Sequence, residues 1–183
     1  MRELSYTEAL REALTDELHR DPSVFVIGED IGPYGGAFKV TKGLLEAFGR
    51  DRVFNTPISE ACICGTGCGA AMNGLRPVVE LMYFDFALMS SDQISNQAAK
   101  WHYMSGGAVN VSLVIRCIIG RGWGSAAQHS QALHALFAHF NYPAEKKRSY
   151  EFWVFINRSH INHLICLQAL KAHLPLGKLY FSL

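Results

Sequence analysis

Three short apolar runs, over residues 24–28, 76–82 and 112–117, alternate with stretches of helical periodicity, and no other feature limits the fold so strongly. Each run is bounded by turn residues and is too short for a core helix, so each predicts a buried strand. A helix between two strands makes a crossover, and crossovers place neighbouring strands parallel. The expected fold is therefore α/β: a doubly wound, mainly parallel sheet with helices on both faces. Ser5 and Glu8 form a capping box ahead of Leu10, Ala13, Leu14 and Leu18, which predicts a first helix ended by Asp21-Pro22. A loop is expected over 29–39, a short helix over 41–48 and a brief strand over 52–55. A helix of small residues over 59–73 closes at Gly74. Ile94, Ala98 and Trp101 share one face of a long helix over 91–103. A Gly-rich loop over 120–128 then leads into a helix over 130–140.

Of the 183 residues, 49% are hydrophobic and 18% charged, enough apolar matter for a real core. The formal net charge of +1 gives no bulk attraction for nucleic acid. No apolar run approaches the roughly 18 residues of a membrane span. Five cysteines without a C-x-x-C pattern predict reduced thiols. An amphipathic pattern that begins at once, with no leader before it, predicts a cytoplasmic location. The composition breaks near residue 140. Residues 1–140 hold 11 Lys+Arg against 14 Asp+Glu, whereas 141–183 hold 6 against 2 and contain one glycine, Gly177. The expected organisation is one domain over 1–140 and an atypical tail over 141–183.

Several motifs admit a structural and a functional reading. Gly65-Thr66-Gly67-Cys68-Gly69-Ala70 has the letters of a dinucleotide fingerprint, but the fingerprint needs a strand directly before it and a phosphate at the helix start. Residues 59–64 already look helical, so the small residues are expected to serve close packing. Cys62, Cys64 and Cys68 lack zinc spacing and read as small hydrophobes. His129, His134 and His139 recur every five residues and drift around a helix, which argues against a three-histidine metal site. Glu60, at an expected helix start, is either a first-turn carboxylate favoured by the dipole or a proton-sharing group for a ligand. His129, after a Gly/Ala loop and at the start of a helix, is either a cap or a site residue. Phe84 and Phe86, beside Asp85 at a strand end, are either core or a ligand wall.

Thr56-Pro57-Ile58-Ser59-Glu60, Gly69-Ala70-Ala71 and Gly74-Leu75-Arg76-Pro77 together resemble the beta subunit of thiamine-diphosphate-dependent 2-oxo acid dehydrogenases. Asp92-Gln93-Ile94, Asn96-Gln97-Ala98-Ala99-Lys100, Tyr103-Met104-Ser105-Gly106-Gly107, Gln128-His129-Ser130-Gln131 and Phe137-Ala138-His139 continue the pattern. The resemblance covers residues 3–140 and implies a transketolase-type pyrimidine-binding domain. It implies oxidative decarboxylation of pyruvate or a related 2-oxo acid, with acyl transfer to a lipoyl group. The implied cofactor is thiamine diphosphate, its magnesium and diphosphate held by an alpha subunit; a second beta subunit and a lipoyl acyltransferase core are the other implied partners in a heterotetramer-based complex. By the same resemblance Glu60 is the carboxylate at the pyrimidine nitrogen, Phe86 packs on the aminopyrimidine, Ile58 lies in the cofactor-binding stretch, and His129 handles protons around the substrate. Leu113 matches a position whose backbone carbonyl helps bind potassium in some members. Ala132-Leu133-His134 departs from the family's Ser-x-Glu, and the pattern stops at Asn141 where a second domain is expected. The tail is expected to stem from a frameshift, a truncated gene or read-through sequence rather than an evolved extension; a truncated, non-catalytic pseudo-subunit and an acetoin or branched-chain beta chain are the alternatives to the enzyme reading.

Overall fold

The computed structural model describes residues 4–119 and 124–140 in full and the backbone of 152–157. The expected loop residues 120–123 and the rest of the expected tail lie outside the described residues. Five strands form one sheet in the order β2-β1-β3-β4-β5. They are β1 (Val24–Glu29), β2 (Val53–Thr56), β3 (Arg76–Glu80), β4 (Leu113–Ile118) and β5 (Phe152–Asn157). Every neighbouring pair is parallel, as the alternation required.

The capping box is present: Glu8 N–H donates to the Ser5 hydroxyl, and the Ser5 N–H donates to the Glu8 carboxylate at 2.8 Å. It starts α1 (Tyr6–Arg20), which buries Leu10, Leu14 and Leu18. These side chains meet Val24, Val26, Val53 and Val78 on one face of the sheet, with Leu44 of α2 (Leu44–Phe48). Alternate residues Phe25, Ile27, Val79, Leu113 and Ile115 point to the other face. There they meet Ile63, Cys64 and Cys68 of α3 (Glu60–Met72), together with Phe84 and Ile94. Each fully buried Val, Leu, Ile or Phe contributes about 1.5–3 kcal/mol relative to exposure. Two such layers on opposite faces account for the doubly wound form.

Pro77 sits in a central strand, which a missing N–H ordinarily opposes. Arg76 donates to Ser23 on the β1 side. The donor that Pro77 lacks would face β4, whose pairing with β3 begins only at Val78. No ladder bond is lost.

The long helix expected over 91–103 is broken. A 3-10 helix (Phe84–Ser90) leads into a π-helix (Gln93–Ala98), and α4 covers only Trp101–Met104. Ile94 and Ala98 are still buried and Trp101 packs against the same core. Local side-chain bonds support the wider turns: Asn96 donates to Asp92 at 2.7 Å and the Trp101 indole N–H to Gln97 at 2.7 Å. The helix expected from 130 starts at His134 instead, as α5 (His134–Phe140). Within the stretch expected to be an atypical tail, residues 152–157 form β5, alongside β4 from Leu113↔Phe152 to Ile118↔Asn157. Phe, Trp, Val and Ile favour extended backbone, and pairing there occupies the hydrogen-bonding edge of β4.

The glycines of α3 lie within the helix and not at its start, so the dinucleotide reading has no place. A Cβ on Gly67 would stand 2.6 Å from Val79 Cγ2, whereas one on Gly69 would meet nothing within 4 Å. The close packing expected of these small residues is therefore realised at Gly67, against a strand. Opposite signs follow. Gly67→Ala is expected to lower stability by about 1–3 kcal/mol through overpacking, less any gain in helix propensity. Gly69→Ala is expected to raise it by about 0.5–1 kcal/mol. Urea unfolding of both variants checks the pair.

Candidate functional site

The strand order turns at β1. The chain leaves β1 for β2 through α2 on one face, then returns past β1 to β3 through α3 on the other. Crevices outside the carboxyl ends of strands at such a turning point are where open α/β sheets bind ligands. Glu29 ends β1, Glu60 follows β2, Tyr83 and Phe86 follow β3, and His129 follows β4. All five residues therefore belong to that carboxyl edge.

Glu60 is the first residue of α3 and half-buried. The carboxylate stands at the positive end of a thirteen-residue helix, so a negative charge is favoured there. One turn on, burial pushes the Cys64 thiol up to about 11, pulled back by the Ser90 hydroxyl and raised further by Glu60. Ser90 closes the 3-10 helix that carries Phe86. Cys64 and Cys68 are buried as small hydrophobes, but Cys62 is exposed, against the expectation for all three.

Glu29 was not singled out by the sequence. Burial first, then the charges of Glu60 and Asp30, raise its carboxyl above the ordinary glutamate value. Its Oε2 and the Thr56 hydroxyl are buried with no partner among the described residues. Because the folded state holds the Glu29 proton more tightly, stability falls as pH rises from the ordinary value through the raised one. The cost is complete above that window and absent below it. Glu29→Gln is therefore expected to raise Tm at neutral pH, with the gain fading as pH drops below the ordinary glutamate range; thermal melts across pH check this.

Four aromatic rings line the same edge. Phe86 stands 5.3 Å from the His129 imidazole, edge to face. Tyr83 contacts both, at 4.9 Å from His129 and 6.0 Å from Phe86, and Phe38 reaches Tyr83 at 5.9 Å. The structure thus brings Phe86 and His129 together, while Tyr83 and Phe38 complete the wall. His129 lies in a turn five residues before α5 and does not open a helix. Ile58 is 76% exposed in the link before α3. Leu113 is buried at the amino end of β4, away from the carboxyl edge.

A heterocycle able to share a proton fits these residues: a half-buried carboxylate, a wall of aromatic rings set edge to face, and two buried polar atoms without partners among the described residues. Glu29, Asp30 and Glu60 crowd carboxylates at this edge, and the charges of Glu60 and Asp30 both bear on Glu29. Among the described residues no group of three His, Cys, Asp or Glu side chains could hold a metal ion. No described helix is long and apolar enough to cross a membrane.

A family model described as "Transketolase, pyrimidine binding domain" matches residues 2–169. The chain is 51% identical over 138 residues to the pyruvate dehydrogenase E1 component subunit beta-1, mitochondrial, of Oryza sativa subsp. japonica, covering 75% of this chain and 37% of the relative. It is 51% identical over 137 residues to the pyruvate dehydrogenase E1 component subunit beta of Rickettsia conorii, covering 75% and 42%. The chain thus spans less than half the length of these curated relatives. A solved structure titled "Split gene transketolase, inactive beta4 tetramer" has the same fold, with a TM-score of 0.52 at 19% identity over 74% of this chain and 40% of that one.

Proposed function

Because the chain belongs to the transketolase pyrimidine-binding domain family, we propose that it supplies the aminopyrimidine half of a thiamine diphosphate site in the beta subunit of a pyruvate dehydrogenase. The observation that carries this reading is identity at about half of all positions to pyruvate dehydrogenase beta chains, over a segment that includes Glu60, Phe86 and His129. Thiamine diphosphate, when bound, supplies a carbon nucleophile that attacks the keto carbon of a 2-oxo acid. Glu60 shares a proton with the pyrimidine ring nitrogen, a task for a carboxylate at the mouth of the crevice. Phe86 bounds the flat face of the pyrimidine, and Ile58 extends that contact from the exposed link. His129 moves protons at the substrate side of the crevice, and the ring wall keeps water from it.

The diphosphate and its magnesium are left to a partner, the alpha subunit. A second beta chain and a lipoyl acyltransferase core complete the proposed assembly, which transfers the acyl group to a lipoyl arm. The Leu113 carbonyl is the proposed potassium ligand, at a separate place in the fold. The test mixes this chain with a pyruvate dehydrogenase alpha subunit, thiamine diphosphate, magnesium and a lipoylated domain as acyl and electron acceptor, and follows pyruvate-dependent release of carbon dioxide. Turnover that requires all components is expected. The second reading, a non-catalytic pseudo-subunit, predicts weak or no binding to the alpha chain and no cofactor-dependent turnover in the same mixture.

A further inference from the structure

His129 occupies a turn and, among the described residues, no hydrogen bond reaches its imidazole; it is held by ring edges of Tyr83 and Phe86 alone. Ring contacts orient a side chain only if the backbone beneath it is fixed. Residues 131–133 have no regular structure. The tie that fixes them is the Gln131 N–H, which donates to Asp85 Oδ1 at 3.1 Å.

Asp85 is only 5% exposed. Its chain neighbours grip the same segment from either side. Phe86 meets His129, and Phe84 stacks near His134 at 5.5 Å and Phe137 at 5.3 Å. A buried carboxylate is costly unless its oxygens are satisfied, and Asp85 Oδ2 has no partner among the described residues. Core packing alone would favour an apolar side chain here.

We infer that Asp85 is a positioning residue: it anchors the Gln131 amide and so fixes the His129 imidazole against Tyr83 and Phe86. What His129 then acts on rests on the function proposed above; its placement does not.

The test is NMR on the full isotope-labelled chain, with turnover of the reconstituted complex beside it. In the unmodified chain the Gln131 amide should be protected from exchange and the His129 Cε1–H signal displaced by ring currents. Asp85→Asn keeps an acceptor oxygen and should retain both. Asp85→Ala should speed Gln131 exchange about tenfold or more and return the His129 signal to that of a free histidine. In the reconstituted complex it should lower kcat by about tenfold or more with thiamine diphosphate affinity unchanged.

An unprotected Gln131 amide or an undisplaced His129 signal in the unmodified chain overturns the inference. So does an Asp85→Ala chain with both signals unchanged, or an Asp85→Asn chain that loses them. Should Asp85→Ala fail to fold, the unmodified and Asp85→Asn chains decide alone. Intact signals in a complex that never turns over sink the proposed function and leave the positioning role standing.

Discussion

Glu60→Gln is expected to cut pyruvate decarboxylation by the reconstituted complex by about 10²–10⁴-fold, the range over which a positioned acid–base group contributes. Glutamine has the shape of glutamate and keeps the contacts of the first turn of α3, so the fold should survive. What it loses is the ability to take up and return a proton. Thiamine diphosphate should therefore still bind, and the thermal midpoint should change little. The deficit belongs to kcat. Undiminished turnover with unaltered cofactor dependence would remove Glu60 from the mechanism and leave it as a carboxylate placed by the helix dipole.

Arg116→Met is expected to produce the largest loss of stability, about 3–5 kcal/mol, because it leaves Glu80 charged and without its partner in the core. The two residues face each other across β3 and β4 in register. Arg116 Nε donates to Glu80 Oε1 at 2.5 Å, a terminal guanidinium nitrogen meets the other oxygen, and the residues are 9% and 5% exposed. Replacing both, as in Glu80→Leu with Arg116→Met, should recover most of the loss, since a buried pair and an apolar pair of similar volume are close in energy. Urea unfolding of the single and double variants measures the coupling. A single variant as stable as the parent chain would show that neither charge depends on the other.

The sheet, its parallel pairing and its two covered faces were legible because apolar runs and capping signals are local. The capping box of Ser5 and Glu8 and the buried run from Val24 needed no knowledge of distant residues. The break between Gln93 and Trp101 was hidden because a π turn keeps apolar residues on nearly the same face as an α turn. The bond from the Gln131 amide to Asp85, in the stretch before α5, was hidden because it joins residues 46 apart in the chain. Glu60, Phe86 and His129 were visible as residues with two readings each. Their grouping became visible only when the strand order turned at β1 and brought the loops after four strands to one edge. Glu29 and Tyr83 were missed, although each lies at the carboxyl end of an apolar run, where such a sheet places its chemistry.

Gly28 lies opposite Glu80 in the β1–β3 register, and a Cβ there would come within 2.5 Å of the Glu80 carbonyl and 2.7 Å of its Cβ. Glu80 in turn holds Arg116 on the next strand. Three positions on three adjacent strands are thus bound into one unit. A larger residue at 28 displaces the backbone that aims the carboxylate, and a changed carboxylate strands the guanidinium. A change at any one of the three positions therefore disturbs the other two, which ties the middle of the sheet together across strands far apart in the chain.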